Sequence, residues 1–363
     1  MEFTKAVVLS SYDDPPEVRE LQIPSPEPGA MIVEVSAATM CGTDVHICDG
    51  GLPWAASLPL VLGHEMVGKI VESNGCDRDL LGRPISIGDL VAWSYAFCGE
   101  CYWCTVADQP TCCERQQRYG WGPLDLFPHL TGGFAQHAYV LPRCEVVKVP
   151  DELEPALAAA ATCSLRTAVH ALERVSGIFP GETVVVQGTG PVGLWTTALV
   201  AAAGAGRIVA IGAPRDRLDL AQRWGASDIL SIEDTDESER KEAVLAVTEG
   251  RGADVLFECS GSTAAVTEGL ELARRGARYA VVGQASDAPI PVRATAFLRD
   301  MVTMVGVRSG HGRHYYRGLE FLAKHQDSLP FGELLGRRYS LTQVPEALMA
   351  LRSLEEIKPV ILP

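Results

Sequence analysis

The stretch TVVVQGTGPVGLWTTALVAAAGA, Thr183 to Ala205, decides how this chain folds. An apolar, β-branched run leads into a turn carrying Gly188, Gly190 and Gly193, and the turn opens a helix-like apolar segment. A G-x-G-x-x-G string alone says little. Between a strand and a helix it acquires a mechanism: the first glycine makes the tight turn, the second lets backbone approach a pyrophosphate, and the third seats the helix against the strand. The helix N-terminus then faces the negative charge. A merely structural turn is the competing reading, and the complete strand–turn–helix setting argues against it.

The same rhythm continues outward. RIVAIG, RDRLDLAQRWGA and DILSI follow the turn, then ADVLFECSG, AAVTEGLELARRG and ARYAVVGQ. Buried-type runs of Val, Ile and Ala alternating with helical segments indicate an α/β fold with a doubly wound parallel sheet. The first 150 residues differ, being rich in Pro and Gly, with short runs such as AVVL, MIVEVSAA, HAYVLP and EVVKVP. They read as a small, mostly β domain. Two domains also suit 363 residues, which is long for one hydrophobic core.

The strand RIVAIG ends at Gly212, where an acid for the adenosine ribose of NAD would be expected. A missing carboxylate removes repulsion against a 2′-phosphate, and Arg215 or Arg217 could pair with one. Together with Pro191 and Val192 in the turn, these residues form the candidate cofactor site, and NADP is favoured over NAD. The alternative is that both arginines are solvated helix-start residues and NAD binds through Asp216 or backbone groups alone.

Charge and composition exclude several classes. With 46 acidic against 31 basic residues the net charge is −15, which opposes a phosphate-backbone partner. No basic run stands out and no apolar run approaches the roughly 18 residues needed to cross a bilayer. The N-terminal segment lacks the pattern of a secretory signal, so a cytoplasmic protein with reduced thiols is expected.

Five of the eleven cysteines fall in CGECYWCTVADQPTCC. Cys98, Cys101, Cys104 and Cys112 follow C-x2-C-x2-C-x7-C, a spacing that lets one loop aim four thiolates at a tetrahedral structural zinc. Metal binding would order a loop with little core of its own. Disulfides are disfavoured by compartment and by the odd cysteine count. Cys113 is expected to point away as a spare thiol. A second set is dispersed: MCGTDVHICDG offers Cys41, Thr43, Asp44 and His46, VLGHEMVG offers His64 and Glu65, and AATCSLRTAV offers Cys163. Two Cys and one His would bind a metal and leave the fourth position open. Taken singly, each is as well explained as a buried small hydrophobe or a satisfied histidine.

Together, C-G-T-D-x-H, G-H-E-x-x-G, the cysteine lobe, the glycine turn, GGFAQHAYV and the closing KPVI resemble the zinc-dependent alcohol dehydrogenases of the medium-chain dehydrogenase/reductase superfamily over nearly the whole chain. The resemblance implies a GroES-like catalytic domain over residues 1–164 with a zinc lobe at 98–112. A Rossmann domain over 165–302 and a return to the catalytic domain over 303–363 complete that layout. It also implies that Cys41, His64 and Cys163 hold a catalytic zinc, that Glu65 sits near the metal, and that Asp44 orients the ligand histidine. Thr43 and His46 match the proton relay. Two zinc ions per chain, an alcohol or ketone substrate and a homodimer or homotetramer are implied as well. Asn74 departs from the family signature, with Gly75 one place later.

Two other readings remain open from the residues: a polyol or sugar-alcohol dehydrogenase of the same superfamily, and a non-catalytic NADP(H)-binding zinc protein. The latter would have no need of the dispersed set. Trp54, Tyr95, Trp121 and Phe127 could form an aromatic wall for a secondary or cyclic alcohol, or could simply be core. Cys48, Cys76, Cys144 and Cys259 receive no role.

Overall fold

A computed structural model describes residues 2–52, 57–283 and 288–363. The chain forms two compact units: Met1–Arg166 with Gly310–Gln326 and Phe331–Pro363, and Thr167–Ser309 with Asp327–Pro330.

The second unit is built on a six-stranded sheet, parallel throughout. Its order is Asp228–Ser231, Arg207–Gly212, Thr183–Gln187, Ala253–Glu258, Ala273–Val281 and Thr303–Gly306. The chain builds outward from the Thr183–Gln187 strand in one direction and then returns to build the other way. Its strand order therefore reverses beside the glycine turn, the place where open α/β sheets bind ligands. Because helices cover both faces, the strand TVVVQ is buried at every position rather than alternating. Val185, Val209, Ile211, Leu256 and Tyr279 share one core cluster, and the fully buried Trp195 and Trp224 pack with ring centroids 4.8 Å apart.

The first unit carries a seven-stranded sheet whose path runs Leu335–Tyr339, Lys358–Ile361, Met31–Thr39, Glu65–Ser73, Leu90–Trp93 and Val146–Lys148, with His137–Val140 also paired to Met31–Thr39. A three-stranded sheet joins Phe3–Leu9 to Glu17–Gln22 and Leu60–Val61. Register places Thr39 opposite Glu65 on one side and opposite Val360 on the other. Residues far apart in sequence thus meet at one end of three neighbouring strands.

The return boundary expected at residue 303 is corrected. Thr303–Gly306 pairs in parallel with Ala273–Val281 as the sixth strand of the nucleotide-type sheet, so the chain re-enters the first unit only at Gly310. The earlier crossing falls between Arg166 and Thr167 rather than after residue 164.

Candidate metal and cofactor sites

Cys41 is the N-cap of the short helix Gly42–Cys48, and its sulfur accepts from the Thr43 N–H at 3.4 Å. Asp44 answers in the reciprocal half of a capping box: its Oδ2 accepts from the Cys41 N–H at 2.9 Å. The other oxygen, Oδ1, accepts from His64 Nδ1 at 3.1 Å. One fully buried carboxylate therefore fixes the loop that carries Cys41 and sets the histidine tautomer, leaving Nε2 bare. Nε2 lies 3.3 Å from Cys41 Sγ. Burial opposes charging of His64, but Asp44 and the Cys41 sulfur outweigh it and hold the imidazole pKa well above its ordinary value.

Cys163 joins them from a π-helical turn, Ala161–Leu165, inserted between two α-helical segments. Such a bulge re-aims one side chain without ending the helix. Donor atoms of Cys41, His64, Glu65 and Cys163 all lie within 4.8 Å of one another. Hydrogen bonding between the thiols, seconded by His64 and Arg166 against the opposing effect of burial, pulls Cys163 well below the ordinary thiol range. Cys41 is pushed up by the same hydrogen bond and by burial.

Glu65, fully buried, is tethered through Oε2, which accepts from Thr39 Oγ1 at 2.5 Å and from the equally buried Lys358 Nζ. Its Oε1 has no hydrogen-bond partner among the described residues. Burial pushes its pKa up to about 7 against the pull of Lys358. Two sulfurs, one oriented imidazole nitrogen and an unsatisfied carboxylate oxygen beside them fit a zinc ion with an open side.

The glycine turn is built as its spacing requires. Gly188 adopts φ +98°, and a Cβ at Gly193 would lie 1.8 Å from the Gly188 carbonyl oxygen. Gly190 caps the helix Pro191–Ala202, with Pro191 at its first position and Val192 next. A side chain at Gly190 would meet nothing within 4 Å, which leaves room for a ligand. Gly212 ends the neighbouring strand, where a Cβ would lie 2.6 Å from Thr189 Oγ1, so a side chain there would require Thr189 to shift. Arg215 is 65% exposed and pairs with Asp219, whereas Arg217 is buried.

In the lobe, the structure corrects the fourth cysteine. Cys98, Cys101, Cys104 and Cys113 bring their sulfurs within 4.8 Å of one another, and Cys112 does not join them. The tight turn Pro110–Cys112 swings Cys112 outward, exposed, with its sulfur 3.9 Å from Gln109 Oε1. Cys113 points inward and accepts from the Cys98 N–H at 3.4 Å. The N–H groups of Glu100 and Cys101 hold Cys98 down to about 6.

Comparison with known proteins gives the family. Residues 27–151 match the alcohol dehydrogenase GroES-like domain and residues 191–324 the zinc-binding dehydrogenase domain. A 5-exo-hydroxycamphor dehydrogenase of Pseudomonas putida is 32% identical over 99% of both chains. The chain belongs to the zinc-dependent alcohol dehydrogenases of the medium-chain dehydrogenase/reductase superfamily. A sorbitol dehydrogenase of Halalkalibacterium halodurans is 31% identical over 95% of both. Among solved structures, an alcohol dehydrogenase of Thermotoga maritima superposes with a TM-score of 0.95 at 34% identity over 100% of both chains. A zinc-binding dehydrogenase of Sinorhizobium meliloti bound to NADP gives 0.86 at 26% over 100% of both.

As a zinc-dependent dehydrogenase, the protein is an oxidoreductase using NAD(P) and zinc. Thr43 and His46 stand three residues apart on the Gly42–Cys48 helix, the first half-buried and the second exposed. Of the aromatic residues, Trp54 lies outside the described residues. Tyr95 is buried in a cation stack, Trp121 is half-buried, and Phe127 is exposed against Tyr139. Gly75 takes φ +86° just after Asn74, whose side chain donates to the Pro26 carbonyl. Sequence reasoning missed Thr39 and Lys358. The KPVI ending was legible only as a motif, because a lysine there gains meaning from the carboxylate two strands away.

Proposed function

We propose that this dehydrogenase interconverts a secondary, preferentially cyclic alcohol and its ketone, with Cys41, His64 and Cys163 holding the catalytic zinc. The observation that carries the reading is the convergence of those donors around a histidine whose tautomer Asp44 fixes. When bound, the zinc supplies Lewis acidity that makes an alcohol oxygen readier to give up its proton. Every other part belongs to the chain. Thr43 takes that proton through its hydroxyl, and His46, exposed on the same helix, passes it to solvent. Glu65 stays tethered to Thr39 and Lys358 and lends negative charge beside the metal. Cys98, Cys101, Cys104 and Cys113 hold a second, structural zinc, giving two per chain.

Gly188, Gly190 and Gly193 with the N-terminus of the Pro191–Ala202 helix would hold the pyrophosphate. The crowded Gly212 and the exposed Arg215 favour NADP, whose 2′-phosphate the Arg215 guanidinium would hold. A relative named for a hydroxycamphor, a bicyclic alcohol, supports the substrate class. Relatives named sorbitol dehydrogenases support a polyol as the second reading. The protein works as a homodimer or homotetramer: among the described residues Thr303–Gly306 ends its sheet, an edge that a partner copy could extend. Among the described residues no cysteine is paired in a disulfide, as suits the cytoplasm, and no helix is long and apolar enough to cross a membrane.

The test is a panel of primary, secondary, cyclic and polyol alcohols with each cofactor, run on protein of measured zinc content. Highest kcat/KM for a cyclic secondary alcohol with NADP at two zinc ions per chain is expected. Zinc-loaded protein that turns over none of them with either cofactor would overturn the proposal.

A further inference from the structure

Glu258 ends the strand Ala253–Glu258, directly beside Gln187 at the foot of the glycine turn, and is fully buried. Its Oε1 accepts three hydrogen bonds: from the Ser260 N–H at 2.7 Å, the Ser260 hydroxyl at 2.6 Å and the Gly261 N–H at 2.8 Å. Oε2, also buried, has no hydrogen-bond partner among the described residues. Room for the carboxylate comes from Gly283, whose Cβ would lie 2.7 Å from Oε2 and 2.1 Å from the Gly261 nitrogen. The loop that Glu258 holds is in turn a wall for the glycine turn. A Cβ at Gly188 would lie 2.7 Å from the Ser260 nitrogen, and one at Gly193 would lie 3.5 Å from Cys259 Cβ. The Cys259 N–H donates to the Gln187 carbonyl at 2.7 Å, and on the other side the Gly188 N–H donates to the Ile211 carbonyl at 2.7 Å. Burying a carboxylate with one oxygen unsatisfied is costly. The cost is offset only at Oε1, where the charge strengthens all three bonds.

We propose that Glu258 is a positioning residue of the dinucleotide seat: by clamping Ser260 and Gly261 it fixes the wall against which Gly188 packs, before any cofactor arrives. The inference rests on the reading of the glycine turn as that seat. A pyrophosphate there is held by backbone donors of the turn and the helix N-terminus, and such donors bind best when their directions are set in advance. The turn cannot set them alone, because its glycines permit the backbone path but bring no side chains to lock it. Three charge-assisted bonds converging on one buried oxygen supply that rigidity. Gly261, at φ +79°, lets the loop bend back onto the carboxylate. Glu258, being fully buried, acts through these neighbours.

The test measures NADPH and NADH binding to full-length protein by fluorescence titration, beside hydrogen exchange of the cofactor-free protein. Glu258→Ala should raise both dissociation constants about tenfold or more, because three donors lose their shared acceptor and the wall loosens. The cofactor KM should rise by a larger factor than kcat falls, with zinc content as in the wild type. Without cofactor, the segment Gly188–Gly190 should exchange faster in this variant while Thr183–Gln187 keeps its protection, a pattern that general destabilisation does not give. Glu258→Gln retains an acceptor for the three donors and should stay within about threefold of wild type. Ser260→Ala, which removes one of the three, should fall between. Should the alanine variant not fold, Glu258→Met fills the space, with the same expectation. A folded apolar variant with wild-type dissociation constants would overturn the inference, as would weaker binding accompanied by faster exchange across the whole sheet. Gly190→Val tests the seat itself, since a Cβ there meets nothing within 4 Å and would occupy ligand space. Undiminished dinucleotide binding in that variant would overturn the seat reading, and this inference with it.

Discussion

Replacing Asp44 by Asn tests the most economical feature of the site, one carboxylate serving two elements. In the wild type, Oδ2 accepts from the Cys41 N–H at 2.9 Å and Oδ1 from His64 Nδ1 at 3.1 Å, with the side chain fully buried. An asparagine has one acceptor to share between them. If its oxygen keeps the Cys41 cap, its NH2 faces His64 Nδ1, which must then accept. The ring proton moves to Nε2, the atom 3.3 Å from Cys41 Sγ that is needed as a ligand. Restoring the useful tautomer strands a buried donor against a donor, a mismatch of about 1–3 kcal/mol. Zinc affinity at this site should therefore fall about 10- to 100-fold, while the distant cysteine lobe keeps its metal. Asp44→Ala loses the cap as well, and should unfold about 1 kcal/mol more easily than Asp44→Asn. The assay is zinc release to a chromogenic chelator, read as two kinetic classes, beside the denaturant midpoint of each variant. Wild-type release of both zinc ions from Asp44→Asn would refute the argument that this carboxylate orients the ligand.

Four further outcomes follow from the geometry. Cys113→Ser should lower zinc content from two to one per chain, and Cys112→Ser should leave it at two; elemental analysis of purified protein separates these, and the reverse pattern would restore the spacing-based assignment. Lys358→Met leaves the buried Glu65 carboxylate without its cation and should cost about 3–5 kcal/mol in denaturant unfolding, most of it recovered when Glu65→Gln is added. Thr43→Val should keep zinc but lower kcat about 100-fold or more, and an unchanged kcat would remove the hydroxyl from the proton path. Gly212→Asp together with Thr189→Ala, which clears the side-chain atoms crowding that position, should shift the ratio of kcat/KM values towards NAD at least about tenfold; an unmoved ratio would show that cofactor choice is made elsewhere.

The nucleotide-type sheet and its glycine turn were readable because their determinants are local. Strand, turn and helix are contiguous, and Gly193 must be glycine because the turn's own carbonyl fills the space of a Cβ. The candidate ligands were readable as residue types in short motifs. Their assembly was not: Cys41, His64 and Cys163 stand in three separate segments, and only the register of Met31–Thr39 with Glu65–Ser73 and the π-turn at Ala161–Leu165 bring them together. The boundary at 303 was misplaced because a short, half-exposed strand such as Thr303–Gly306 carries little pattern of its own.

By itself, then, the sequence determined the order of elements and the inventory of thiols, imidazoles and carboxylates, since hydrophobic period and side-chain chemistry are properties of the chain as written. Tertiary structure decided which members of that inventory act. A single tight turn exchanged Cys112 for Cys113, and strand pairing set Lys358 against Glu65 and Glu258 beside the glycine turn. The physical reason is that reach and dielectric depend on what surrounds a group: burial beside Glu65 turns an ordinary lysine into a fixed counter-charge.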